Sequence, residues 1–373
     1  MGEVPGLARF GAVMAAPAAP TLPRRALYWH RPLMVSSAAM AVLAVVALGG
    51  VIFDHRTLVG APIWMKPFKF SLSFVAYGVT LAWMLSLLRQ TPRAARWAGN
   101  LVTAAGVLEM VAIVGQVLRG RQSHFNVSTP FDAAVYGLMG ITITALWLTS
   151  LGIAALSLRQ PLGSRVTAST LRLGLGLALL GMAVAFLMVG PTRQQLASGQ
   201  FRYVGAHSVG VPDGGPGLPV TGWSTVGGDL RVPHFVGLHA LQVIPLVGLV
   251  LGVAGRRLAA LRTERVRLGL VRVAAGGYGG LVALLTWQAL RGQPLVHPDG
   301  RTLACFGLLA AAVLVAGACV LAVAGRTRLA VRPPPVHTGS PPHPGPGAPP
   351  AAPFPLEAAS VGNTERRESE GVR

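Results

Sequence analysis

Charge is what this chain has least of. Only 12% of its 373 residues are Asp, Glu, Lys or Arg, about half the ~25% of an ordinary soluble domain. Too few side chains are left to wet a surface, and 52% are hydrophobic, with a mean hydropathy of +0.56. The composition is that of an integral membrane protein. Cysteine is nearly absent, at two residues, which excludes a disulfide-rich scaffold. Glycine is common but lacks a triplet period, which excludes a collagen-like chain. Acids are scarce as well, 12 against 32 basic residues, leaving a formal charge of +20. That excess suits a nucleic-acid binder until its placement is followed along the chain.

A helix needs about 20 apolar residues to cross a hydrocarbon core. Eight segments qualify: Leu33–Phe53, Phe70–Leu88, Ala98–Leu118, Ala133–Leu156, Leu173–Gly190, Phe235–Ala254, Val273–Leu290 and Leu303–Val323. They are continuously apolar rather than alternating, so helices are expected and strands are not. The predicted fold is an all-α, eight-helix polytopic membrane bundle.

With both termini placed in the cytoplasm, the inner segments carry 22 of the Lys and Arg residues and the outer loops 10. This asymmetry matches the rule that basic residues stay inside. The basic excess is thus a topology signal, the partner it implies is the lipid bilayer of the plasma membrane, and nucleic acid need not be invoked. Residues 1–32 read as a cytoplasmic segment without a cleavable signal peptide. Residues 326–373 read as a disordered cytoplasmic tail, with eleven prolines between Pro333 and Pro355. Cys305 and Cys319 share the last span at a separation of about 21 Å, too far to bond to each other.

Two stretches read alike. Gln116-Val117-Leu118-Arg119-Gly120, followed by His124, Asp132 and Tyr136-Gly137-Leu138-Met139, matches Gln288-Ala289-Leu290-Arg291-Gly292, followed by His297, Asp299 and Phe306-Gly307-Leu308-Leu309. More weakly, Lys66-Pro67-Phe68 matches Val232-Pro233-His234. The pattern predicts two parallel four-helix halves, residues 33–157 and 170–325, the second of which contains a long outer loop at 191–233. That loop holds nine glycines but also Phe201, Tyr203 and Trp223. Its Pro-Asp-Gly-Gly-Pro-Gly run specifies turns, so it is expected to form an ordered cap.

Chemistry concentrates on the outer side. The inner loops are arginine-anchored turns, whereas six of the nine histidines lie outside. Glu109 is the sharpest residue. It lies about 13 Å below the end of its span, where an ionised side chain costs at least ~2.5 kcal/mol. Gln116 shares its helical face two turns on. His239 and Gln242, three residues apart on the sixth span and near the same depth, are the expected partners.

Glu109, His124 and His239 are therefore the candidate catalytic groups, with Gln116, Arg119, Asp229, Arg231 and Gln242 as candidate ligand-binding residues. A metal set would draw on His124, His234 and His239, although His234 and His239 lie about 140° apart round their helix and do not form a same-face pair. Haem or a divalent metal is conceivable on residue types alone; neither a zinc-protease motif nor a phosphate loop is present. Lys66 and Lys69 read most simply as side chains that snorkel to the interface, with anion binding second.

A set of motifs spans Asp54 to Gln293: Lys66-Pro67-Phe68-Lys69-Phe70, Ser123-His124-Phe125-Asn126, Gly214-Gly215-Pro216-Gly217-Leu218-Pro219, Trp223-Ser224-Thr225, Gly228-Asp229-Leu230-Arg231, His234-Phe235 and Leu238-His239-Ala240-Leu241-Gln242. In these the chain resembles an uncharacterised family of bacterial multi-pass membrane proteins, and the resemblance implies no activity. The residues themselves point first to an outward-facing polar site suited to membrane enzyme, redox or metal chemistry. Proton-coupled transport and a sensor or scaffold role are the alternatives.

Overall fold

The computed structural model describes residues 29–199 and 201–330, with the side chains of the last helix described as far as Val323. The segment at 1–28 and the Pro-rich tail beyond 330 lie outside the described residues. Among the described residues eight helices are long and apolar enough to cross a membrane, and the chain is an all-α multi-pass bundle. They are α1 (Arg31–Phe53), α2 (Met65–Ser86), α3 (Pro92–Leu118), α4 (Pro130–Leu158), α5 (Arg165–Val184), α7 (Arg231–Arg257), α8 (Glu264–Leu290) and α9 (Gly300–Ala330). A short helix, α6 (Arg193–Ser198), lies in the long connection between α5 and α7.

Local sequence sets the helix ends. Prolines at the first helical positions open α1, α3 and α4, where a missing N–H costs nothing. Ser164 and Thr129 accept backbone N–H groups at the starts of α5 and α4. Several helices begin before the apolar runs do: α2 at Met65 rather than Phe70, α7 at Arg231 rather than Phe235, α8 at Glu264 rather than Val273. A hydropathy run marks only the lipid-immersed stretch, whereas the helix continues until its terminal N–H groups find partners.

In sequence order, α1 packs on α2 and α3, α2 on α3, and α3 on α4; then α5 packs on α7 and α8, and α7 on α8. On α8, Gly269, Gly277 and Gly280 face Val320, Val313 and Leu309 of α9. The same order of pairings is thus made twice, and α2–α7 and α4–α5 contacts join the two groups. With no hydrophobic drive between helices in lipid, close backbone approach does the packing. It is tightest between α5 and α7, where a Cβ on Gly181 would sit 2.4 Å from the Gly237 carbonyl carbon. Large apolar side chains such as Val45, Ile141, Leu249 and Leu314 are exposed round the bundle, as a lipid-facing surface requires.

The long connection is ordered. Thr192 and Gln195 form a capping box on α6, and the two-residue strands β3 (Ser208–Val209) and β4 (Gly228–Asp229) pair antiparallel. Ala206 N–H donates to Met188 O (3.1 Å), and Val204 N–H to Phe125 O (2.8 Å). A smaller hairpin, β1 (Thr57–Leu58) with β2 (Ala61–Pro62), meets this connection where Gly60 approaches the Gly214 carbonyl.

Gly181→Val should destabilise the protein by about 1–3 kcal/mol or more, as at other overpacked sites, and so lower its thermal unfolding midpoint in detergent. Gly176→Ala, which meets nothing within 4 Å, should leave it unchanged.

Candidate functional site

The connection from α3 to α4 is clamped at both ends before it presents a side chain. The Asp132 carboxylate, fully buried, accepts from Gln116 Nε2 (3.0 Å), Arg119 Nη1 (2.7 Å) and Thr129 Oγ1 (2.9 Å). Arg119 also donates to Gln116 Oε1 (2.5 Å) and lies on the Phe131 ring. Gln116 and Arg119 are therefore occupied in fixing the loop. Between these clamps Phe125 takes a left-handed backbone (φ 64°), which a bulky residue rarely adopts. Its buried ring stands edge-on to His124, Tyr136 and His207.

His124, held this way, lies between an amine and a carboxyl. Lys66 Nζ, from the first turn of α2, is 2.9 Å from His124 Nδ1, and Ser123 Oγ is 3.1 Å from the same nitrogen. An ammonium can only donate, so against charged Lys66 Nδ1 accepts and the ring proton sits on Nε2. That nitrogen faces Glu109 Oε1 at 3.5 Å, a short approach away from hydrogen-bond length. Glu109 is fully buried. Its Oε1 has no hydrogen-bond partner and its Oε2 has a distant one, Thr142 Oγ1 at 3.5 Å. Phe70 closes one side, edge-on to His124, with Lys66 Nζ 5.7 Å from its centroid.

A second pair belongs to the long connection. Asp213 accepts from His207 Nδ1 (2.7 Å), His207 N and Ser208 N (2.8 Å). These bonds hold the Asp213 carboxyl well below its ordinary range despite its partial burial. Burial is the main force keeping His207 below 6.5, and it outweighs Asp213. Burial likewise holds His124 well below 6.5, reinforced by Lys66, His207 and His234. Both imidazoles are thus neutral at neutral pH.

The remaining candidates lie elsewhere. Asp229 and Arg231 form a bidentate pair (2.6 and 2.9 Å) that also grips Ser224 N and Gly222 O. Beside them Lys69 Nζ donates to Thr221 O (2.7 Å). These three side chains fasten the Gly-rich turn to the bundle, so neither lysine simply snorkels. His234 Nδ1 bonds Gly181 O (2.8 Å), and His239 Nδ1 is 3.3 Å from Gln242 Oε1. Gln242 reaches α2, at Ala76 O and Thr80 Oγ1, rather than Glu109. The expectation that the sixth span supplies the partners of Glu109 is therefore corrected: they come from α2, α4 and the α3–α4 loop. His124, His234 and His239 are not gathered as metal ligands, and among the described residues no three His, Cys, Asp or Glu side chains are.

Thr142 and Asp213 escaped the sequence reading, His207 counted there only among the outer histidines, and Lys66 was read as a snorkelling side chain or an anion binder rather than as a partner of His124. Lys66 had one signal: a lysine and no acid in the first turn of α2 oppose the helix dipole. Compared with protein-family models, curated sequences and solved structures, the chain matches none.

His124 and His207 stay neutral when folded but bind protons near 6.5 when unfolded. The unfolded state then holds more protons, so stability is full above 6.5 and falls as pH drops below it. Asp213 adds a second loss of the same sign below its ordinary 3.8. Exchange protection of the Val204 and Ser208 amides should fall in this order on acidification, and His207→Asn should flatten the first step.

Proposed function

We propose that this multi-pass membrane protein is an acid–base enzyme whose working groups are the Lys66 amine, the His124 imidazole and the Glu109 carboxyl. The observation that carries this reading is the position of His124, with Nδ1 toward Lys66 and Nε2 toward Glu109. In one state Lys66 is an ammonium and Glu109 a carboxylate. Passing a proton from Lys66 to Nδ1, while the Nε2 proton passes to Glu109, gives a free amine, the other imidazole tautomer and a carboxylic acid. The ring is neutral before and after, and the cluster keeps its total charge. The exchange therefore avoids placing an extra charge in a low-dielectric site, and it creates a base and an acid at opposite ends of one relay.

The segments that carry the family resemblance supply Lys66, His124 and the turns fastened beside them, which supports reading this as the working face. The arginine asymmetry supports putting that face outside the cell with the termini in the cytoplasm, and the family resemblance supports a bacterial plasma membrane. A second reading, proton-coupled transport, is favoured by one observation. The helix pairings recur in two groups of four, and Gln242 of α7 crosses to α2. This fits a duplicated unit with a polar contact between its halves.

Nitrogen NMR of histidine-labelled protein in nanodiscs should report the Nε2–H tautomer of His124 at neutral pH. Lys66→Met and Glu109→Gln should each shift its signals. A His124 resonance indifferent to both would defeat the acid–base reading, and a Glu109-dependent proton flux in proteoliposomes would move the assignment to transport.

The orientation is tested separately. With Cys305 and Cys319 replaced by alanine, Val226→Cys on intact cells should react with an impermeant maleimide and Ala259→Cys should not. The reverse pattern would invert the topology.

A further inference from the structure

Thirty of the 32 basic residues are arginine, and the only two lysines, Lys66 and Lys69, stand three apart in the first two turns of α2. Helix stability does not explain them, because cations at a helix N-terminus oppose the macrodipole. Lys69 has a structural task in holding the Thr221 carbonyl, one that a guanidinium also performs. Lys66 differs. Its partner is an imidazole nitrogen, backed by a buried carboxyl with an unpartnered oxygen. What an amine does there, and a guanidinium cannot, is give up its proton and become a nucleophile.

We propose that Lys66 is a covalent amine site that forms an imine with an aldehyde or ketone bearing an apolar chain. This deepens the acid–base reading and rests on it. Lys66 is half-buried at the loop-bearing end of the bundle, with Phe70 beneath its amine and Phe125 on the far side of His124. An apolar carbonyl compound suits a site walled by these rings, whereas an anion would meet Glu109.

The step balances within the site. His124 Nδ1 takes a proton from the Lys66 ammonium while its Nε2 proton goes to Glu109. The free amine adds its electron pair to the carbonyl carbon, and the carbonyl oxygen takes up one of the two protons on the nitrogen, now positive, to give a neutral carbinolamine. Loss of the nitrogen-bound proton and of the hydroxyl as water leaves C=N. The proton held on Glu109 returns through His124 to the imine nitrogen, leaving an iminium beside a carboxylate.

The test is reductive trapping. Intact protein in nanodiscs is treated with decanal and cyanoborohydride, and the adducts are mapped by peptide mass spectrometry. Lys66 should be alkylated several-fold faster than Lys69, because Lys66 faces an imidazole nitrogen that can take its proton whereas Lys69 faces a backbone carbonyl. Glu109→Gln and His124→Phe should slow labelling at Lys66 and spare Lys69. Lys66→Arg, which keeps charge and length, should abolish that adduct while the protein elutes and melts as the parent does. Equal alkylation of both lysines and the N-terminal amine, or none at Lys66, would overturn the proposal. If the His124 resonance responds to Lys66→Met but no selective adduct forms, the imine fails alone. If neither occurs, the acid–base reading fails with it.

Discussion

The bilayer permits a carboxyl at the depth of Glu109 only if the protein supplies what water would. An ionised group there costs several kcal/mol, and one oxygen of Glu109 has no hydrogen-bond partner at all. The compensation is electrostatic and indirect: an imidazole 3.5 Å away with an amine behind it. Most of the surrounding architecture serves to keep those two groups in place. Elsewhere in the bundle polar groups are often satisfied locally, as where Tyr77 bonds Ser150 (2.6 Å) or Thr103 returns to the Gly99 carbonyl (2.7 Å), and the buried groups left without a partner in α1 and α2 are the small neutral hydroxyls of Ser37 and Ser71.

The clamps make the position of His124 intelligible. Asp132 gathers the end of α3 and the start of α4 onto one carboxylate, and this forces the intervening loop through the unfavourable backbone at Phe125. The α8–α9 connection uses the same residue types with the roles exchanged. Arg291 again binds an aspartate, Asp299, but here the aspartate accepts the Thr302 N–H (2.8 Å) at the head of the helix. In the first connection Thr129 accepts the Asp132 N–H (3.1 Å). A Thr/Asp pair three residues apart caps a helix in either order, since both side chains can accept a backbone N–H.

Much of this was legible beforehand, and the division is physical. Continuous apolar runs reveal spans because lipid tolerates little else, so all eight helices could be read. Their polar ends could not, because Lys66, Arg231 and Glu264 sit inside helices but outside the apolar runs. Glu109 was legible as a lone acid in such a run. Its partners were not: depth follows from counting residues, whereas rotation about the helix axis and the neighbour it faces do not. Gln242 lies at a suitable depth and points to α2 instead. Lys66 and His124, 58 positions apart, are joined only by the fold.

The backbone contact between Gly181 and Gly237 bears on how the molecule moves. Two main chains in direct contact, with a hydrogen bond from His234 to Gly181 O alongside, can neither slide nor rotate past each other without losing both. The α5–α7 pair is therefore the stator of the bundle. The two groups of four helices meet more lightly, through the α2–α7 and α4–α5 contacts, so the bundle's stiffest seam lies within the second group rather than between the two.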